Sequence, residues 1–238
     1  MMLLADSINK PSGEVRDMPY RAGNSPDDMP HKPKIFIVDD DPDIIRLFES
    51  SLQSMGTPIH SFASAEDFLA AVKPKDFGCL ILDLALPNMS GTELQRMLVE
   101  AGTELKIVIV SGFADVPSVV QAFRAGAVDV IQKPIGRDSI REAVRRAMAK
   151  AQADHEFRLK RDAAVEIIDR LSPREKEVLA RLVAGRANKQ AAVDLELSVR
   201  TVEVHRAHIM AKLSVRSFAE AMHLWLLAQS EPRTGKTN

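Results

Sequence analysis

Four short runs of apolar residues punctuate the first half of the chain: IFIV (35–38), CLIL (79–82), IVIV (107–110) and VDVI (128–131), with a weaker fifth at Ile59–Phe62. The four runs are each four residues long and dominated by branched apolar side chains, with Asp129 the one charged member, the pattern of strands buried on both faces. The stretches between them carry helical spacing. Ile44, Ile45, Leu47, Phe48 and Leu52 mark one helix, and Phe68, Leu69 and Val72 a second. Leu94, Met97 and Leu98 mark a third, and Val119, Val120 and Phe123 a fourth. Ser64-x-x-Asp67 and Ser139-x-x-Glu142 read as capping boxes that start two of the helices. The pattern predicts βα repeated five times, an α/β fold with a five-stranded parallel sheet covered on both faces.

Beyond residue 137 the period changes. Ile140, Val144, Ala147 and Ala151 form a helical stripe that is interrupted by Asp154, Arg158 and Arg161 before Val165 and Ile168 resume it. This fits one helix of ~48 Å, at 1.5 Å per residue, or a helix followed by a mobile linker. Four short helices follow. Ser172-Pro173-Arg174-Glu175 supplies an N-cap, a proline at the first helical position and a closing glutamate. Gly185 stops that helix, Asn188 opens an alanine-rich one, Ser198 caps a third, and Ser217-x-x-Glu220 caps the fourth. Helix, tight turn, short helix, turn, longer helix is helix-turn-helix grammar, so a small all-α module is expected to follow the sheet domain.

Charge divides the chain at the same place. The net charge of −1 hides −5 over residues 34–137 and +3 over 171–230, as if the two modules had different partners. Residues 1–33 lack periodicity and hold Pro11, Pro19, Pro26, Pro30 and Pro33, the composition of a disordered extension. The lone cysteine, Cys79, excludes an internal disulfide and any cysteine-built zinc site, which suits a reducing, cytoplasmic compartment. No apolar run approaches the ~20 residues of a membrane span, so no membrane partner is expected. Met1-Met2-Leu3-Leu4-Ala5 is too short for a secretory h-region. The expected boundaries are 1–33 extension, 34–150 sheet domain, 151–167 helical linker, 168–230 helix-turn-helix domain and 231–238 tail.

The strands end in chemistry. The first runs into Asp39-Asp40-Asp41, the third into Asp83, the fourth into Ser111 and the fifth into Lys133. Ligands of open parallel sheets bind at the carboxyl ends of the strands. Carboxylates crowded there call for a hard divalent cation, and few carboxylates with oxygen donors suit Mg²⁺. A lysine opposite would hold an oxyanion and a hydroxyl would bond one of its oxygens. The set is suited to placing a phosphoryl group on a carboxylate.

VDDDPDIIRLF, LILDLALPNMSG, VIVSG and VIQKP resemble the marks of response-regulator receiver domains over about 34–150. The resemblance implies a doubly wound, flavodoxin-like sheet in 2-1-3-4-5 order. It implies Asp83 as phosphoacceptor, Asp39 and Asp40 as the acidic pair, and Mg²⁺ held by Asp39, Asp40, Asp83 and the backbone carbonyl of Ala85. Ser111 would be the switch hydroxyl and Lys133 the phosphate-pairing lysine, before a cis bond to Pro134. Two positions depart from the family: Val130 stands where a tyrosine or phenylalanine is usual, and Ile135 where phenylalanine is common. The usual aromatic readout is therefore not available at residue 130.

LSPREKEVLARLVAGRANKQAAVDLELSVRTVEVHRAHIMAKL resembles the LuxR/FixJ class of DNA-binding domain over about 168–230, although Gln190-Ala191-Ala192 replaces the commoner Glu-Ile-Ala. In the helix Val199–Leu213, Val202, Ile209 and Leu213 share one side and should face the core. The opposite side carries Arg200, Glu203, Val204 and Ala207, small or polar groups able to enter a major groove, and Ser198 and Thr201 at the helix start are further candidates for DNA contact. Glu203 could accept from cytosine N4 and Val204 could touch a thymine methyl. Lys189, Arg200, Arg206 and Lys212 are candidates for phosphate contacts. The last helix presents Phe218, Met222, Trp225 and Leu226 as a stripe expected to be mostly core, with Leu227 left for a dimer seam of the kind this family uses. His205, His208 and His223 have no cysteine or carboxylate cluster beside them and read as structural.

The chain as a whole thus reads as a phosphorylation-controlled DNA-binding transcriptional regulator that is not an enzyme acting on an external substrate. A histidine kinase, promoter DNA, RNA polymerase and a second copy of the chain are the expected partners. An aspartyl-phosphate phosphatase would need a general acid two residues past its nucleophile, and that position is Ala85. An orphan regulator that binds DNA without phosphate is a third reading, disfavoured by the intact Asp83, Ser111 and Lys133.

Overall fold

The computed structural model describes residues 32–112 and 115–231. Residues 1–31 of the expected extension, Phe113 and Ala114, and residues 232–238 of the expected tail lie outside them. Five strands, β1 (Lys34–Val38), β2 (Ile59–Phe62), β3 (Phe77–Asp83), β4 (Glu104–Ser111) and β5 (Ala127–Gln132), form one parallel sheet in the order β2-β1-β3-β4-β5. Helices α1 (Pro42–Leu52), α2 (Ala65–Ala71), α3 (Gly91–Glu100) and α4 (Val116–Arg124) connect them. β3 is buried from end to end, as an unalternating central strand must be.

Two apolar layers sandwich the sheet. Phe36, Phe68, Leu80, Leu82, Leu94, Ile107 and Ile109 occupy one face. Ile35, Ile37, Phe48, Leu52, Ile81 and Val108 pack on the other with Ile140, Val144 and Ala147 of the helix that follows β5. Cys79 is wholly buried in this second layer, and burial pushes its thiol pKa well up, so it is an inert core group. Gly78 is required by geometry: its φ is +137° and a Cβ there would lie 2.0 Å from the Lys34 carbonyl oxygen across the β1–β3 ladder.

Helix α5 (Arg137–Ile168) runs unbroken for 32 residues and contains the whole span expected to be a linker. Its start corrects the capping expectation. Ser139 lies inside the helix and Gly136 at its cap, because the Gly136 carbonyl already accepts from Ile140 N–H at 3.2 Å. Ser64 does cap α2, accepting from Asp67 N–H.

A third core closes the C-terminal module of α6 (Pro173–Val183), α7 (Asn188–Asp194), α8 (Val199–Leu213) and α9 (Phe218–Gln229). Ile168, Leu171, Val178, Leu179, Ala191, Val202, Ile209, Leu213 and Ala221 are among its buried members. Ser172 and Glu175 form the expected reciprocal capping box, and Gly185 follows α6 at φ +82°. α9 departs from expectation. Its one buried residue is Ala221, while Phe218, Met222 and Trp225 are half-buried and Leu226 is 58 % exposed. α9 packs along α5 as well as on α6 and α8, with Ala221 buried in the C-terminal core.

Candidate phosphoacceptor pocket and nucleic-acid interface

The parallel sheet brings the ends of β1, β3, β4 and β5 to one edge. There Asp39, Asp40 and Asp83 place carboxylate oxygens within 4.8 Å of one another. Asp39 and Asp83 are buried and Asp40 is exposed, so the cluster has a closed floor and an open mouth. Asp41 does other work: its side chain caps α1 and its N–H donates to Asp39 Oδ1 at 3.0 Å. Lys133 reaches in from β5, with Nζ 2.7 Å from Asp83 Oδ2 and 3.0 Å from Asp39 Oδ2. The backbone of Lys133 is itself fixed, since its N–H donates to the Ser111 carbonyl at 2.8 Å. Ser111 is buried at the end of β4, and the Lys133–Pro134 bond is cis.

The electrostatics of this edge follow from the geometry. Burial raises the Asp39 pKa above the ordinary carboxylate value, while the Asp41 N–H and Lys133 pull it back only in part. Burial also works against the Lys133 ammonium, yet its bonds to Asp83 and Asp39 hold its pKa above the usual lysine value. One ammonium thus serves two carboxylates, and Asp40 adds a third negative group. Hard oxygen donors with surplus negative charge, open to solvent on one side, fit Mg²⁺.

The loop after β3 is shaped around Asp83. Ala85 N–H donates to Asp83 Oδ1 at 3.1 Å, and Gly91 N–H closes the loop onto the Leu84 carbonyl at 3.1 Å. A Cβ on Gly91 would lie 2.1 Å from the Asp83 carbonyl oxygen, which is why glycine stands eight residues past the aspartate. Val130 is half-buried against the layer of Phe36 and Ile109 and cannot offer a rotating ring.

In the C-terminal module Val202, Ile209 and Leu213 are buried, as their spacing predicted. Arg200, Glu203, Val204 and Ala207 stand on the exposed side of α8, with Val204 47 % exposed. Ser198 caps α8 through Thr201 N–H, and its hydroxyl meets the Thr201 hydroxyl at 2.7 Å. Lys189 is exposed on α7. Two of the proposed phosphate ligands are already engaged within the fold. Arg206 donates to Asn188 Oδ1 at 3.0 Å and lies over the Phe218 ring at 4.5 Å. Lys212 pairs at 2.7 Å with Glu175, a buried carboxylate that the spacing of cations could not reveal. Leu227 is half-buried, and Leu226 is the exposed leucine of α9.

Sequence reasoning missed a buried amide. Gln95 of α3 donates from Nε2 to the Ala122 carbonyl at 3.0 Å. Gly126 N–H bonds Phe123 instead, so Gln95 caps a carbonyl left over at the end of α4. A polar residue between Leu94 and Leu98 is ordinary on a helix, and no local signal marks it.

Comparison with known proteins matches both modules. Residues 35–145 match the response regulator receiver domain, and residues 169–225 match the bacterial regulatory proteins of the luxR family. The transcriptional regulatory protein FixJ of Azorhizobium caulinodans is 35 % identical over 209 residues, covering 88 % of this chain and 99 % of that protein. The response regulator protein TodT of Pseudomonas putida is 37 % identical over 190 residues, covering 80 % and 84 %. A low-resolution structure of the response regulator StyR superposes with a TM-score of 0.70 at 35 % identity over 82 % of this chain and 98 % of that one. No helix among the described residues is long and apolar enough to cross a membrane. With a receiver pocket at one end, a helix-turn-helix module at the other and full-length relatives that share both, the chain belongs to the two-component response regulators of the FixJ class, phosphorylation-dependent DNA-binding transcriptional regulators.

Proposed function

We propose that Asp83 accepts the phosphoryl group, from a histidine kinase or a small phosphodonor, and that the chain then binds promoter DNA through α8. The observation that carries this reading is the single ammonium of Lys133 shared between Asp83 and Asp39 at the open end of the sheet. An Asp83 carboxylate oxygen attacks phosphorus, the bond from phosphorus to the donor atom breaks, and the electron pair leaves with the donor. Lys133 is placed to turn from Asp39 to the new phosphoryl oxygens, and Ser111 to bond one of them. Asp39, Asp40, Asp83 and the Ala85 carbonyl would hold Mg²⁺, which when bound offsets the repulsion between carboxylates and phosphoryl oxygens. Ala85 offers no general acid, so the pocket is suited to holding an acyl phosphate rather than turning over an external substrate.

On DNA, Glu203, Val204 and Ala207 are the groups proposed to meet base edges, with Arg200, Thr201, Ser198 and Lys189 at the flanking backbone. Arg206 and Lys212 would reach phosphates only by leaving Asn188 and Glu175. The exposed Leu226 of α9 is the proposed seam of a phosphorylated dimer, and RNA polymerase the downstream partner. Incubation with acetyl phosphate and Mg²⁺ should add one acid-stable, base-labile phosphate and raise promoter affinity. Asp83→Asn, or omission of Mg²⁺, should abolish both. Labelling that persists on Asp83→Asn removes the assignment.

A further inference from the structure

Helix α5 belongs to two cores. Ile140, Val144 and Ala147 pack on the sheet and Ile168 in the C-terminal core, with Ala151 and Ala164 also buried along the helix. Between these ends lies a polar clasp onto the start of β4. Asp154 Oδ2 is 2.8 Å from Lys106 Nζ, and His155 Nδ1 is 2.9 Å from Glu104 Oε2. Arg158 pairs with the other oxygen of Glu104. The His155 ring lies flat on Phe77 of β3, with centroids 3.8 Å apart and planes 2° from parallel. Lys106 and His155 are buried, and Glu104 and Asp154 nearly so. Between Arg158 and Ala164 the helix buries no further residue.

A hydrophobic stripe would hold a helix at low cost and tolerate sliding. Buried charges are costly unless each meets its partner, so a clasp of this kind holds one register or none. The strand that carries Glu104 and Lys106 at its start ends in Ser111 at the pocket. The turn after Arg158 has exposed or half-buried side chains, with Leu159, Lys160 and Asp162 exposed, and a helical segment with little buried surface opens more readily than one in a core. With Val130 in place of an aromatic ring, the pocket needs another outlet.

We propose that the cluster Glu104, Lys106, Asp154, His155 and Arg158 is a latch fixing the linker helix to the receiver, and that phosphate control of DNA binding passes through it. The second half of this statement rests on Asp83 being the phosphoacceptor. The latch variants are Glu104→Gln, which preserves shape, and Lys106→Met with Asp154→Leu, which removes one pair. The rescue variant exchanges the charges, Lys106→Asp with Asp154→Lys.

In the full-length protein, both latch variants should label with acetyl phosphate at the wild-type rate. Trypsin cleavage after Lys160 and Arg161 should be at least about tenfold faster than in wild type, because release of the clasp lets this segment of the helix open locally. The ratio of promoter affinity with phosphate to that without should fall at least about fivefold toward one, a coupling loss within the usual range for linked sites, and the rescue variant should recover it. Wild-type cleavage rates, or normal labelling with an unchanged affinity ratio, would overturn the latch. A wild-type protein that labels on Asp83 yet shows no phosphate effect on DNA defeats the regulatory half alone. The cleavage rates then still decide whether the clasp holds the helix.

Discussion

Glu175→Gln isolates one buried charge in the DNA-binding module. The carboxylate accepts from Ser172 N–H and Lys212 Nζ, each at 2.7 Å. Burial alone would raise its pKa, but the Lys212 ammonium and the Ser172 bonds outweigh burial and bring it down from 4.5 to about 2. At 1.36 kcal/mol per pH unit this corresponds to about 3 kcal/mol, and the half-exposed Lys212 is screened enough to discount it to about 2 kcal/mol. Glutamine keeps an acceptor for Ser172 and loses only the charge. Because the folded pKa lies below the unfolded one, the stabilisation is fully present above pH 4.5 and drains away as the pH falls toward 2.

Trp225 is the only tryptophan and packs on the C-terminal core, so its fluorescence follows urea unfolding of that module. At pH 7 the urea midpoint of Glu175→Gln should fall by roughly 2 M, taking a slope of about 1 kcal/mol per M for a module this small. The gap between variant and wild type should narrow steadily between pH 5 and pH 2 and close at the acid end. A gap that stays constant over that range would mean that packing, and not charge, accounts for the loss.

Gly91→Ala should slow acetyl phosphate labelling of Asp83 by at least about tenfold, since a Cβ 2.1 Å from the Asp83 carbonyl oxygen must push the phosphoacceptor out of line; a wild-type labelling rate would refute the steric account. Asp39→Asn should raise the thermal midpoint of the receiver without Mg²⁺, because it removes a buried carboxylate that shares its one cation with Asp83. Added Mg²⁺ should then stabilise wild type more than the variant, and equal Mg²⁺ shifts in the two proteins would count against Asp39 as a ligand.

The sheet was legible because strands buried on both faces must be apolar at every position, and IFIV, CLIL and IVIV have no other comfortable home. The pocket was legible for a related reason: a parallel sheet collects its strand ends, so Asp39, Asp83, Ser111 and Lys133 had to converge. What escaped depends on long-range partners. The period that placed Lys212 on the outer side of α8 carries no record of Glu175, 37 residues away. The interruption of the α5 stripe at Asp154 and Arg158 was visible, but Lys106 and Glu104 were hidden inside an otherwise apolar strand. The stripe of α9 misled because a helix packed on several neighbours need not bury its largest residues: Ala221 is the one fully buried, while Phe218 and Trp225 are only half-buried against the core.

The unbroken course of α5 makes the number of residues between the two modules an angular setting. Each residue added between 156 and 163 would turn everything after it by ~100° and shift it by ~1.5 Å, whereas seven would return it to within ~20° of its starting azimuth, about 10 Å further out. Length variation in this span is therefore not neutral spacing: a single inserted residue re-aims α8, while a heptad moves it outward and leaves its heading almost unchanged.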